Sequence, residues 1–146
     1  MGLEQEELTG SVIGAAIEVH KALGPGFVES VNENALALEL AARGIRFERR
    51  QLAVPILYRG SEVGFHRLEL LVAASIVVEL KAVKALDDVH FAVVRSYLPA
   101  TGREHGLILN FAKPTLEIKH VIASQRPHHD FLASWLPGFL RGTLFC

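Results

Sequence analysis

Apolar residues recur at helical spacing through residues 8–23, at Leu8, Val12, Ile13, Ala16, Val19 and Leu23. Gly24-Pro25-Gly26 closes that segment, with Gly24 at the left-handed position after the helix and proline just beyond it. A second helix is predicted over residues 28–43, stopped by Gly44. Its first turns bring Glu29, Asn32 and Glu33 onto one face. The period then changes. Residues 46–58 read as an extended strand, with Pro55 marking an edge or a bulge, and Arg59-Gly60-Ser61 reads as a turn. Two apolar segments, residues 67–72 and 76–81, flank Ala73-Ala74-Ser75 and predict a β-hairpin. Asp87-Asp88 suits the cap of a third helix running to about residue 98, and Thr101-Gly102 breaks it. Residues 106–111 form a continuous apolar run, the pattern of a buried strand. Residues 116–122 suit a last strand. The order α-α-β-β-β-α-β-β predicts an α/β sandwich with a mixed central sheet flanked by helices.

The hairpin carries the chemistry. A three-residue loop at 73–75 sets Glu69 opposite Glu79, with Cβ atoms roughly 4.5–5.5 Å apart. Lys81 lies two residues further along the same face, and Leu80 turns to the other side. A two-residue loop would split the carboxylates between faces. Charges on an apolar hairpin are costly unless paired or bound to a metal. Two carboxylates beside a lysine suit Mg²⁺ or Mn²⁺, oxygen-liganded ions that keep several waters. The competing reading is an ordinary Glu–Lys ladder on a solvated face, since Glu-x-Lys is common by chance.

Composition narrows the classes. The chain has 146 residues, 50% of them apolar and 21% charged, so it reads as one folded domain with a substantial core. A net charge of -1 lacks the global basic excess of strong autonomous nucleic-acid binders. The single cysteine, Cys146, admits no internal disulfide, and the first residues are acidic and polar, unlike a signal peptide. A cytoplasmic location is expected. No apolar run is long enough to span a bilayer.

Several stretches taken together resemble the GxxExxY proteins of the PD-(D/E)XK nuclease superfamily. They are Leu8-Thr9-Gly10, the run from Ile17 and Glu18 through His20 to Gly26, Glu29-Ser30-Val31, Val78-Glu79-Leu80-Lys81-Ala82, Tyr97-Leu98 and Leu109-Asn110-Phe111. The resemblance covers about residues 6–122. It implies a restriction-endonuclease-like core whose signature includes Glu79 and Lys81. Glu69 falls where the family places a metal-binding Asp. Glu29 falls on the motif's Glu, where related nucleases bring a further metal-facing carboxylate. On this reading Glu69, Glu79, Glu29 and the Leu80 carbonyl face the metal, and Lys81 orients the attacking water.

Three departures stand beside the matches. The family Asp is Glu69, one methylene longer. The motif Tyr is Asn32. Tyr97 remains, but Val93 replaces the Gln that precedes it by four residues. Together they imply a retuned or weakened site, since catalytic geometry tolerates little displacement.

Other polar residues have blander readings. Arg67 shares the face of Glu69 and suits an ion pair or a phosphate contact, whereas His66 points away. His90 suits a supporting position beside the site. His20 reads as a packing or capping residue near its helix end. Arg46, Arg49, Arg50 and Arg59 suit a solvated edge or a nucleic-acid track. His128-His129 read as surface residues. Residues 1–123 are assigned to the nuclease-like domain. Residues 124–146 hold Phe131, Leu132, Trp135, Leu136 and Phe139 at helical spacing, an apolar tail expected to pack on the domain or in a homodimer. Two functions stay open: a Mg²⁺- or Mn²⁺-dependent nuclease acting on DNA or RNA, and a non-catalytic descendant that binds nucleic acid or protein. A partner-completed subunit is a weaker third.

Overall fold

The computed structural model describes residues 2–49, 53–67 and 69–123. The predicted tail, Arg50 and the His128-His129 pair lie outside the described residues, and the side chains of His66 and Arg67 are likewise undescribed. Two helices, α1 (Gly2–Leu23) and α2 (Glu29–Ala42), come first. Five strands follow: β1 (Phe47–Arg49), β2 (Ala53–Tyr58), β3 (Ser61–Arg67), β4 (Leu70–Val72) and β5 (Ile76–Lys81). Helix α3 (Asp88–Thr101) and strands β6 (His105–Asn110) and β7 (Glu117–Ile122) complete the order.

The central sheet runs β1-β4-β5-β6-β7. Only β5 and β6 are parallel, joined through α3; the other neighbours are antiparallel. Side-chain alternation sends Leu70, Val72, Ile76, Val78, Leu80, Leu107 and Leu109 into a core with Val12, Ala15, Ala16, Leu36 and Leu40 from α1 and α2. The opposite face sends Leu71, Val77 and Ile108 against Val94, Tyr97 and Leu98 of α3. Gly106 allows that helix to sit close: a Cβ there would meet Val94 Cγ1 at 2.8 Å. The mixed sheet flanked by helices matches the expected restriction-endonuclease-like architecture.

Two sequence expectations need correction. The single strand over 46–58 is two strands in different sheets, and β3 was not expected, so five strands precede α3 where three were predicted. The cause is the turn at Arg59-Gly60. Both residues have positive φ, 54° and 80°, and Tyr58 pairs with Ser61 across them. That is a two-residue hairpin, whose mirror-image turn matches strand twist. It makes β2 and β3 a separate ribbon, with the suspected bulge between Ile56 and Leu57. The third helix also runs on to Thr101, accommodating Pro99 in its last turn before Gly102 caps it at φ 71°.

Candidate active site

The β4–β5 loop has three residues. Leu70 pairs with Val78, Leu71 with Val77 and Val72 with Ile76, leaving Ala73, Ala74 and Ser75 to turn. This is the register that brings Glu69 level with Glu79. Both alanines take left-handed backbone, φ 53° and 56°, where glycine or asparagine is usual. The loop is held by Ser75 N–H donating to Val72 O (2.9 Å) and Ala73 N–H donating to Arg46 O (2.7 Å).

The Leu80 N–H donates to Glu69 Oε1 at 2.7 Å. This contact fixes the carboxylate against β5. Glu79 is 2% exposed, and its Oε2 is buried with no hydrogen-bond partner among the described residues. Burial pushes the Glu79 carboxyl up to about 8, with the Glu69 charge adding to the rise and Lys81 opposing it. Glu69 is also raised, by burial first; the Leu80 N–H opposes the rise and Glu29 adds to it. The two carboxylates therefore repel one another in a poorly solvated place. Half-buried Lys81 offsets part of that repulsion.

Glu29 reaches the same end of β5 from α2, where its Oε2 accepts the Ala82 N–H at 3.3 Å. The face predicted for the start of α2 is turned inward: Asn32 is 1% exposed and Glu33 2%. Asn32 donates to Val28 O at 3.3 Å, tying the helix start to the preceding loop. Tyr97 on α3 is buried, and burial together with Glu79 and Glu69 pushes its hydroxyl far up, holding it neutral. Val93, one turn earlier, is 38% exposed and offers no polar group.

His90 takes part in a capping box. Its Nδ1 accepts the Asp87 N–H at 3.1 Å, while the Asp87 carboxylate accepts the Val89 N–H at 3.3 Å. His20 is a packing residue as expected: buried, with Nε2 2.7 Å from Lys113 O and its ring edge-on to Phe111. Arg49 lies on the edge strand β1 with its side chain 39% exposed. It pairs with Glu33 at 3.1 Å and donates to Asn34. Arg46 and Arg59 are exposed.

Sequence reasoning gave Asn110 no role. It is fully buried at the end of β6, level with Lys81. Its side chain accepts Val83 N–H (3.1 Å) and Ala112 N–H (3.2 Å), and donates to Val83 O (2.9 Å) and Glu117 Oε1 (3.0 Å). Phe111 N–H donates to Lys81 O at 2.8 Å. Asn110 thereby fixes the backbone that leaves β5 just past Lys81. The signal was present: a lone amide ending the buried run Leu107-Ile108-Leu109 needs partners.

A model of the PD-(D/E)XK nuclease superfamily matches residues 6–121, and the chain belongs to that superfamily. No curated protein and no solved structure matches the chain. Nucleases of this superfamily generally use divalent metal ions. Among the described residues no three His, Cys, Asp or Glu side chains converge on one metal position. Two opposed carboxylates, one with an unpartnered buried oxygen, nonetheless fit an ion such as Mg²⁺, which is commonly held by one or two carboxylates and keeps several waters. No helix among the described residues is long and apolar enough to cross a membrane.

Proposed function

We propose that this protein hydrolyses phosphodiester bonds in DNA or RNA, using Mg²⁺ or Mn²⁺, in the manner of the GxxExxY branch of its superfamily. The observation that carries this reading is the buried, unpartnered Glu79 Oε2 beside Glu69, with Lys81 on the same strand face. Glu69, Glu79 and the Leu80 carbonyl would hold the ion, with Glu29 as a further carboxylate. The bound ion would lower the pKa of a water and neutralise charge on phosphate oxygens. Lys81 would orient the attacking water through its ammonium hydrogens and stabilise negative charge in the transition state. Tyr97, held neutral, keeps a hydroxyl donor beside the carboxylates. Arg67, expected on the strand of Glu69, ends β3 in the two-stranded sheet instead.

The longer arm of Glu69, Asn32 in the tyrosine position and Val93 in the glutamine position would weaken the activity relative to a site with the full family set. The test is cleavage of labelled single- and double-stranded DNA and RNA in Mn²⁺, with Lys81→Ala purified in parallel. Cutting that falls by at least ~100-fold in Lys81→Ala is expected. Equal cutting by both proteins would refute the assignment. Val93 favours one second reading, a nuclease-fold binding module for nucleic acid or protein, as a homodimer. Retained nucleic-acid binding without Mn²⁺-dependent cutting would select it.

A further inference from the structure

At the other end of the sheet, two histidines meet on adjacent strands. Leu107 of β6 pairs with His120 of β7, which puts His105 diagonally across from His120. Diagonal neighbours are within reach of long or aromatic side chains on an antiparallel pair. His105 Nδ1 lies 3.3 Å from His120 Nε2, with ring centroids 5.4 Å apart and planes inclined by 36°. Without a ligand, this contact is one hydrogen bond with a proton on one ring.

We propose that His105 and His120 chelate a divalent transition-metal ion of the zinc, nickel or copper class. Two nitrogens bound to one tetrahedral zinc at about 2.0–2.1 Å lie roughly 3.3–3.4 Å apart, the separation already present here. Imidazole is the ligand these ions prefer among nitrogen and oxygen donors, whereas Mg²⁺ prefers oxygen. The outer nitrogen of His105, Nε2, lies 4.0 Å from Glu104 Oε1. A carboxylate on that side favours the tautomer with hydrogen on Nε2, leaving the Nδ1 lone pair for the metal, and adds negative charge. The side chain of His105 is 23% exposed and His120 is exposed, so an ion can enter and waters can complete its coordination. Histidine is also unusual on this strand face, where Leu107, Leu109 and Ile118 pack into the core.

This centre is separate from the carboxylate site. His105 is level with Ile76 and Glu79 with Ile108, three residues further on, so the two lie roughly 10 Å apart along the strands and on opposite faces of the sheet. An ion at this point would tie β7 to β6.

The test uses the full chain carrying His128→Ala and His129→Ala, which removes the adjacent histidine pair of the tail. Zinc is titrated by calorimetry, and Cu²⁺ is examined by electron paramagnetic resonance. One zinc per chain and a Cu²⁺ spectrum with two nitrogen couplings are expected. His105→Ala and His120→Gln should each weaken zinc binding by more than the roughly 10–100-fold that loss of an outer hydrogen-bond partner costs. Glu79→Ala should leave this binding intact. Zinc affinity retained in both histidine variants, or absent from the parent, would overturn the proposal. Thermal unfolding of each metal-free variant checks that the fold survives.

Discussion

The two faces of the central sheet are built by different rules. The face under α1 and α2 is continuous hydrocarbon from Leu70 to Leu109, apart from its histidine-bearing end. The face under α3 starts the same way, with Leu71, Val77 and Ile108, and then gives way to Glu69, Glu79, Lys81 and Asn110 toward the end of β5. Both faces come from the same strands, residue by alternate residue. The first maximises burial. The second accepts desolvated charge, which burial alone disfavours. Under the proposed function, metal binding by Glu69 and Glu79 is what would offset that cost.

Substitutions one residue apart should break the symmetry between the faces most plainly. Leu80→Ala, facing the two-helix core, is expected to destabilise by about 2–5 kcal/mol in urea unfolding. Glu79→Leu, its neighbour on the other face, removes an unpartnered buried oxygen and the repulsion with Glu69. It should be neutral or stabilising in metal-free protein, since well-packed apolar replacements of buried charge often are. Equal destabilisation by both would mean that Glu79 is a structural residue with partners of its own.

Asn110 is a polar residue of the second face whose removal should be costly. Asn110→Ala leaves Val83 and Ala112 amides without their acceptor and should cost about 1–3 kcal/mol. Its sharper signature is local. Hydrogen exchange at Val83 and Ala112 should accelerate more than exchange in β6. Uniform acceleration across the sheet would reduce Asn110 to a general core residue.

The pH dependence separates the faces next. In the folded protein Glu79 titrates at about 8, far above its ordinary value of 4.5. Between those values the native state keeps a proton that the unfolded chain has released, so metal-free stability falls as pH rises through this window. One group contributes a slope of at most about 1.4 kcal/mol per pH unit. Glu79→Gln should remove that slope. The raised Glu69 acts in the same direction, whereas the lowered Glu117 contributes stability that is lost as pH falls below 4.5. The difference between wild type and Glu79→Gln across pH 5–8 isolates Glu79. Parallel pH profiles would show that its proton is not coupled to folding.

Most of the architecture was legible because periodicity is a local signal. Helices α1 and α2, the β4–β5 hairpin and the buried β6 run each show their period in consecutive residues. In the β2–β3 ribbon the Arg59-Gly60 turn was legible, but strand β3 beyond it was not, because Gly64 interrupts its short apolar pattern, and the break between β1 and β2 was hidden in one extended run. For the candidate site, the register at Glu69 and Glu79 could be read from loop length. The inward face of α2 could not: Glu33 is buried there, with Arg49, sixteen residues later, returning to pair with it. Asn110 lay in plain view, but its role depends on Val83, which comes from another part of the chain.

The smallest effect concerns the turn that sets the site's register. Ala73 and Ala74 occupy left-handed backbone, which costs an L-residue roughly 1–2 kcal/mol. Glycine removes that cost but is more flexible in the unfolded chain, which takes back part of the gain. Ala74→Gly should therefore raise stability by about 0.5–1 kcal/mol in urea unfolding. The gain should leave the Glu69–Glu79 register unchanged, because Ser75 N–H to Val72 O and Ala73 N–H to Arg46 O are both backbone contacts. If Ala74→Gly instead weakens Mn²⁺ binding while raising the melting temperature, the stiff alanine turn serves to hold the carboxylates apart. The α3 face would then resist relaxation through its loop as well as through its buried charges.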